Sequence, residues 1–406
     1  MYTKCLKFRL FPTKSQETLI EQNLALCREV YNSFLLWRIA RWETEHKSVG
    51  YYEQTNALPA WKKAHPELTQ VYSQVLQNVA MRVDFAFKAF FARVKRGDTP
   101  GFPRFKKDSY DSITYPQDGF KVHEQSVYLS KIGMVKAILH RTVEGKMLCA
   151  KPRKMEQTIK TCTVRRQNDK WFACFVIEYE EKPLSESTEN IGIDVGIKTF
   201  AALSNGEFIA NPKFLRTDEM ALAKAQRKVE KHQKGSPVQR KARQVVRRIH
   251  ERIRNRRHNF VHQVSRQLVN RYGLIAVEKL HIKNMSKSPA PKPDSENAGQ
   301  FLPNGHAAKA GLNKSILDAG WGMFRAILAN KAASAGRKFA KVNPAWTSQD
   351  CSGCGTRVKK KLSQRVHFCP HCGLSLDRDT NAALNILSIG LRQGQATGVG
   401  QHTVPG

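Results

Sequence analysis

The chain has 406 residues, 41% of them apolar, which suffices for two or three domains with real cores and excludes a chain disordered throughout. Lys plus Arg number 68 against 34 Asp plus Glu, a net charge of +34. A small neutral metabolite has no use for that excess, whereas a polyphosphate partner repays it through counterion release, so nucleic acid is the expected partner.

Leu6, Phe8 and Leu10 alternate with Lys7 and Arg9, which predicts a strand near residues 3–10 with one basic face, stopped by Pro12. The same N-terminus lacks an apolar stretch before a cleavage site, and no run approaches about 18 apolar residues. A cytoplasmic chain with reduced thiols follows, held on the nucleoid when bound to DNA. Thr13 and Gln16 have capping-box spacing, and Leu19, Leu24, Cys27, Tyr31, Phe34 and Leu35 continue at helical spacing. A second helix is expected along Leu76, Val79, Val83, Phe87, Phe90 and Val94. The segment Gly101–Lys107 then sets Phe102 and Phe105 among Arg104, Lys106 and Lys107, aromatics suited either to a core or to stacking on bases. Short strands return from about Tyr115 to Glu181 and end in a hairpin, Thr158–Arg166 and Trp171–Tyr179. This reads as a helical insert within a small β domain.

After a Pro/Ser/Glu linker, residues 182–190, the run Ile191–Gly196 is a short apolar strand with Asp194 near its end, opening a three-stranded meander to Ala210. From Arg227 to Arg257 a basic helical region carries Arg240, Arg243, Arg247, Arg248, Arg252, Arg254, Arg256 and Arg257, with Glu251 as its local acid. Val246, Ile249, Ile253, Phe260, Val264 and Leu268 form a docking stripe, leaving a cationic face for phosphates. Leu274–Glu278 is a buried-type strand ending in a carboxylate. Asn284–Gly311, rich in Pro, Gly and Ser, reads as a mobile loop. A helix near Lys314–Ala335 and a strand near Phe339–Val342 precede the cysteine segment. Asp377–Ala383 opens the last helix, and the tail beyond Arg392, without charge and rich in Gly, is expected to be disordered.

Nine cysteines divide into two kinds. Cys5, Cys27, Cys149, Cys162 and Cys174 are scattered and read as small buried apolar residues. Cys351, Cys354, Cys369 and Cys372 form two C-x-x-C knuckles with 14 residues between them, the pattern of a closed, structural zinc site. Metal binding there replaces an apolar core that so short a segment cannot build. With four sulfurs, His367 and His371 are left as bystanders. Asp194, Glu278 and Asp379 are weak signals singly, since an Asp at a strand end or helix start is usually a turn or cap residue. Together they sit where an RNase H-type sheet presents hard oxygen ligands for two Mg²⁺ ions, from the first strand, a later parallel strand and a C-terminal helix start. Asp377 rivals Asp379 for the third place, though capping suits it better.

The set G-I-D-V-G-I-K (192–198), V-E-K-L (277–280), S-I-L-D-A-G-W (315–321), the four-cysteine ribbon and D-R-D-T-N-A-A-L-N-I (377–386) resembles TnpB, the OrfB family of insertion sequences. F-R-L-F-P near the N-terminus and G-F-P-R-F-K extend the likeness over essentially the whole chain. The resemblance implies an RNA-guided DNA endonuclease related to compact type V CRISPR effectors, with a multidomain α+β fold. Its parts would be a wedge β-barrel (1–12 and 112–182), a helical recognition insert (13–111), a RuvC nuclease domain (190–345 and 374–392), a zinc ribbon that binds target nucleic acid (346–373) and a disordered tail (393–406). It places the catalytic, magnesium-binding triad on Asp194, Glu278 and Asp379 and selects Asp379 over Asp377. Arg365 takes the place of an arginine near the scissile phosphate. Tyr52 and Gln77 stand where contacts to a short flanking DNA motif are expected. The implied cofactors are structural Zn²⁺, two catalytic Mg²⁺ and a guide RNA; the implied partners are that RNA and a double-stranded DNA target, with the protein a monomer or a homodimer on the RNA. The alternatives are a guide-independent transposase or resolvase using the same carboxylates, and a nucleic-acid-binding regulator without cleavage, whose mark would be a damaged triad.

Overall fold

A computed structural model of the chain describes residues 2–107, 110–140, 157–179, 183–297, 299–361 and 363–398, in two units, Met1–Glu181 and Lys182–Gly406. In the first, β1 (Tyr2–Phe11) buries Leu6, Phe8 and Leu10 and turns Lys7 outward. The same alternation puts Cys5 on the exposed face, and Cys174 is half-buried, so only Cys27 and Cys162 of the scattered cysteines are buried as expected; Cys149 lies outside the described residues. Thr13 caps α1 (Lys14–Glu45) in a closed capping box with Gln16. The chain then forms α2 (Tyr51–Ala64), a 3-10 turn at Pro66–Gln70 and α3 (Ser73–Lys95). Buried Arg38 of α1 joins the three helices, donating to Gln54 at 3.0 Å and pairing with Asp84 at 3.4 Å. Phe102 makes edge-to-face contacts with Phe87 and Phe90 while staying half exposed.

Strands β2 (Ser112–Pro116), β3 (Phe120–His123), β4 (Ser126–Leu129), β5 (Gly133–Ile138), β6 (Gln157–Gln167) and β7 (Lys170–Tyr179) complete an antiparallel sheet ordered β2-β6-β7-β1-β5-β4-β3. The expected barrel is not closed: among the described residues no ladder joins the end strands β2 and β3. Those ends are consecutive in sequence and three residues apart, which keeps them near one another without pairing. At the corner Gln117 and Gly119 both take positive φ, and the Gln117 N–H donates to Lys160 of β6 rather than across to β3. One core fills this unit from both sources, the inward residues of the sheet and the apolar faces of α1 and α3.

The second unit is built on β8 (Asn190–Val195), β9 (Thr199–Leu203) and β10 (Phe208–Ala210), the expected meander, followed by α4 (Phe214–Glu230) and α5 (Pro237–Arg271). Ser236 caps α5 and Pro237 begins it, which divides the basic region into two helices. Next come β11 (Leu274–Glu278), α6 (Ile282–Met285), a small hairpin of β12 (Lys292–Pro293) and β13 (Phe301–Leu302), α7 (His306–Ala319), α8 (Trp321–Ser334) and β14 (Lys338–Val342). The segment expected as a mobile loop is therefore partly ordered, with Asp294 accepting from Glu296 N–H and the Asn297 amide. The single helix expected over 314–335 is two, because Gly320 adopts φ +72° and a Cβ there would meet Arg257 Cδ at 2.8 Å. The ribbon strands β15 (Val366–Phe368) and β16 (Ser375–Asp377) lead into α9 (Arg378–Gly398), which runs past Arg392 where disorder was expected; residues 399–406 lie outside the described residues.

The sheet order is β10-β9-β8-β11-β14, antiparallel through the meander and parallel from β8 to β11 to β14. β11 is buried on both faces, which is why it reads as a continuous apolar run. Ile275 and Val277 pack with residues of α5 and α8, while Leu274 and Ala276 pack with Ile386 of α9. α9 lies unusually close to the sheet. At Gly192 of β8 a Cβ would stand 2.0 Å from the Ala383 carbonyl oxygen, and at Gly390 of α9 one would stand 2.5 Å from Ala276 Cβ. None of the described helices is long and apolar enough to cross a membrane.

Candidate active site and metal centre

Parallel pairing of Val277 with Ile193 brings Glu278 and Asp194 to the same end of adjacent central strands. The close seat of α9 on β8 carries Asp379, in the first turn of that helix, to the same place. The three carboxylates interact: burial, then Glu278 and Asp379, raise the Asp194 pKa well above the ordinary carboxylate value, with Arg378 opposing. Glu278 is also raised, by burial, against a hydrogen bond from Thr347, whose Oγ1 donates to Oε1 at 2.7 Å. Asp379 is bracketed by cations, with Arg378 Nη2 at 3.1 Å from Oδ1 and Arg365 Nη1 at 3.6 Å from Oδ2. Arg365 remains 45% exposed, so it faces solvent as well as Asp379. Asp377 has a different job. Its Oδ1 accepts from the backbone N–H groups of Asp379 at 2.8 Å and Thr380 at 3.2 Å, a helix N-cap.

The loop after β14 is fastened to this site by two asparagines of the 377–386 motif, neither of them expected to bind metal, and by Thr347, which lies outside the motifs. Asn385 donates to the carbonyls of Thr347 at 2.9 Å and Asp350 at 2.7 Å, and Asn381 donates to Asp350 O at 2.8 Å while accepting from Ser352 N–H. Their i,i+4 spacing puts both on one face of α9, and that spacing was the visible signal. Thr347 carried none, since a buried Thr in a loop reads as ordinary filler.

The four thiols of Cys351, Cys354, Cys369 and Cys372 lie within 4.8 Å of one another, with Cys351–Cys372 and Cys354–Cys369 each at 3.6 Å. A tetrahedral ion with metal–sulfur bonds of about 2.3 Å sets sulfurs about 3.8 Å apart, so the donors suit zinc. Gly355 and Gly373 take φ +78° and +72°, and their N–H groups close the knuckles on the carbonyls of Cys351 and Cys369. His367 is buried against Lys360, and neither it nor His371 joins the cluster. Among the described residues the thiols are the one group of His, Cys, Asp and Glu donors this tight; the three carboxylates stand further apart.

Of the residues expected to touch nucleic acid, Tyr52 on α2 is 79% exposed and Gln77 on α3 is exposed. Arg104 and Lys106 are exposed in a segment pinned to α1, where Asn32 exchanges two hydrogen bonds with the Lys106 backbone. Arg240, Arg243, Arg247, Arg248 and Arg254 are exposed along α5, the last beside Glu251 at 4.0 Å. The basic region has more acidic partners than Glu251. Asp218 of α4 pairs with Arg252 and Arg256, and buried Asp318 of α7 pairs with Arg257 at 2.5 Å and accepts the Leu215 N–H. These acids lie 34 to 61 residues away in sequence, beyond the reach of local charge patterning.

The family described as OrfB_IS605, probable transposase, matches residues 174–289, and a Cas12f1-like TNB domain matches 321–386. An OrfB_IS605 domain described as helix-turn-helix matches residues 1–47, where this chain forms one strand and one unbroken helix. A protein of Streptomyces pristinaespiralis, named as a proposed RNA-guided DNA endonuclease, is 34% identical over 396 residues, covering 96% of this chain and 89% of its own. InsQ of Escherichia coli K12, named in the same terms, is 31% identical, covering 95% and 92%. Among solved structures, a chain of a Cas12f1–sgRNA–target DNA complex matches with a TM-score of 0.57 at 14% identity, over 95% of this chain and 98% of that one. That likeness is one of fold.

Proposed function

Because the chain belongs to the OrfB (TnpB) family of insertion-sequence proteins, we propose that it is an RNA-guided DNA endonuclease whose RuvC-type centre is formed by Asp194, Glu278 and Asp379. One observation carries the assignment to these residues: three carboxylates from separate elements converge at one end of a parallel strand pair, in a chain with twice as many bases as acids. Like charges brought together and half desolvated are costly unless cations join them, and hard oxygen donors fit Mg²⁺. Two Mg²⁺ ions held there would supply an activated water and neutralise charge on the scissile phosphate. The chain's own residues prepare that event. Thr347 fixes one oxygen of Glu278, Asp377 holds the first turn of α9 so that Asp379 points into the site, and Arg378 limits the repulsion. Arg365, salt-bridged yet half exposed, is placed to exchange its carboxylate partner for a phosphate.

In this reading Cys351, Cys354, Cys369 and Cys372 hold a structural Zn²⁺ that keeps the 346–373 segment folded beside α9. Guide RNA and target DNA are bound by backbone contacts, among which Arg240, Arg243, Arg247, Arg248 and Arg254 supply a cationic stripe, with Arg104 and Lys106 contributing from the first unit. Tyr52 and Gln77 contact the flanking motif. The wedge comprises 1–12 and 112–182, the recognition insert 13–111, and the nuclease domain 190–345 with 374–392. Specificity lies in base pairing over a hybrid of roughly 20 base pairs or fewer. Purified with RNA transcribed from its own locus, the protein is expected to carry one discrete RNA and to cut a plasmid bearing a matched target in Mg²⁺. D194A and E278A are expected to slow cutting at least about 10³-fold while leaving RNA and target binding intact. No discrete RNA, or undiminished cutting by either variant, would reject the reading; strand joining by RNA-free protein would favour a transposase instead.

A further inference from the structure

Trp346 combines a strained backbone with a large aromatic side chain left half in solvent. Its backbone lies at φ +69°, a region in which a bulky L-residue is strained and Gly or Asn is at ease. The residue is nevertheless 51% exposed, so the strain is not offset by packing in a core. The surrounding turn imposes this conformation. The Trp346 carbonyl accepts from Gln349 N–H at 2.8 Å and Asp350 N–H at 2.9 Å, Asn343 Oδ1 accepts from Ala345 N–H at 3.1 Å, and Asn385 anchors the carbonyl of Thr347. The Arg357 guanidinium lies 4.1 Å from the ring centroid and is itself held on Asp350 by hydrogen bonds of 2.8 and 3.4 Å. A cation fixed on the ring by a bidentate carboxylate, with half the side chain left in solvent, is a preformed stacking platform.

Its location gives the platform a purpose. Thr347, the next residue, is buried and donates to Glu278, so Trp346 is one residue from the group that holds one of the three candidate metal-binding carboxylates. Strain kept by an over-determined turn beside such a site is the pattern of a functional contact. We propose that Trp346, backed by Arg357, stacks on a nucleobase of the single DNA strand whose phosphate enters the carboxylate site. Stacking is tolerant of base identity, as a guided nuclease requires, and it fixes the strand's register on the site from a base next to the cut. The proposal rests on the nuclease reading above.

The test uses full-length protein loaded with guide RNA. W346G relieves the backbone strain and removes the ring, and W346F keeps a ring on the strained backbone. If Trp346 stacks on DNA, W346G melts at or above the wild-type temperature yet cuts target DNA roughly 5- to 150-fold more slowly, with W346F in between. A purely structural role predicts instead that melting temperature and cutting fall together. In a D194A background, target strands carrying 2-aminopurine at successive positions across the cut are expected to show fluorescence quenching at one position, lost in D194A/W346G. Wild-type cutting rates in W346G, no position that depends on Trp346, or quenching by 2-aminopurine in the guide RNA rather than the DNA would each overturn the proposal. Wild-type cutting in the same assay tests the nuclease reading separately.

Discussion

Burial, together with the carboxylates of Glu278 and Asp379, raises the Asp194 pKa well above its ordinary value, so the cation-free fold favours the protonated acid. The sign of the linkage follows. Stability from this group is fully present below the unfolded pKa, about 3.9, and is lost as pH rises through the higher folded value. At neutral pH, where the unfolded chain carries this carboxylate ionised, holding Asp194 buried beside two other carboxylates therefore burdens the metal-free protein, and D194N, which cannot ionise in either state, is expected to melt several degrees higher than wild type in chelator. The gap should close as pH falls toward about 4. Added Mg²⁺ should raise the wild-type melting temperature and leave D194N nearly unmoved, since binding to the native state alone stabilises it. A D194N that melts below wild type in chelator at neutral pH would contradict the account. Cutting should follow the opposite course, rising with pH as Asp194 and Glu278 ionise. Thr347 tunes the same site: T347V removes the hydroxyl that favours ionised Glu278, and the acid limb of the pH–rate profile should move upward.

At the scale of elements, the position of Asp379 depends on how closely α9 approaches β8. A methyl group at Gly192 would stand 2.0 Å from Ala383 O and 2.6 Å from Leu387 N, and backbone on both sides cannot yield as a flexible side chain would. G192A is expected to destabilise the protein by about 1–3 kcal/mol through overpacking and to move Asp379 away from Asp194. Thermal melts and cutting should both suffer, with cutting reduced even at temperatures where the variant stays folded. G206A makes the control: it stands in open space in the Ser204–Gly206 turn at φ +87°, so it strains a turn without displacing the helix. The second fastening runs through the ribbon. Asn381 and Asn385 tie residues 347–352 to α9, so zinc removal or C351S should loosen Thr347 and Glu278 along with the knuckles. Zinc chelation is thus expected to abolish cutting even when Mg²⁺ is restored, which differential chelation and metal add-back can measure. Elements were legible where local pattern decides them: β8 and β11 as short apolar runs ending in carboxylates, α1 from Thr13 and Gln16, and the metal knuckles from spacing alone. They were illegible where distant partners decide. α2 contains Pro59 and draws its support from Arg38 and the neighbouring helices, and the break at Gly320 becomes obligatory only once Arg257 packs against it.

For the whole molecule, the net charge of +34 overstates what is free to bind phosphate. Arg252, Arg256 and Arg257 are committed to Asp218 and Asp318, bonds that hold α4, α5 and α7 together. Removing Arg257 would leave a buried carboxylate without its cation, a loss on the order of 3–5 kcal/mol for a truncated buried pair. Arg240, Arg243 and Arg247 stand exposed on the same helix with no ion pair among the described residues, so truncating them should cost affinity and little stability. The two classes of arginine are separable by salt. For every duplex-DNA phosphate that the protein ceases to neutralise, the slope of log affinity against log salt falls by about 0.9, so the triple alanine variant should flatten it by up to about 3 at unchanged melting temperature. R257A should melt lower, and the slope should hold where the protein is still folded. A guide RNA bound through many phosphates should remain in place at salt concentrations that already abolish target search, because its far larger total affinity outlasts even the steeper loss that its many phosphate contacts bring. Filter binding of labelled RNA and of labelled target across a salt series tests this ordering, and release of the RNA before loss of target binding would refute it.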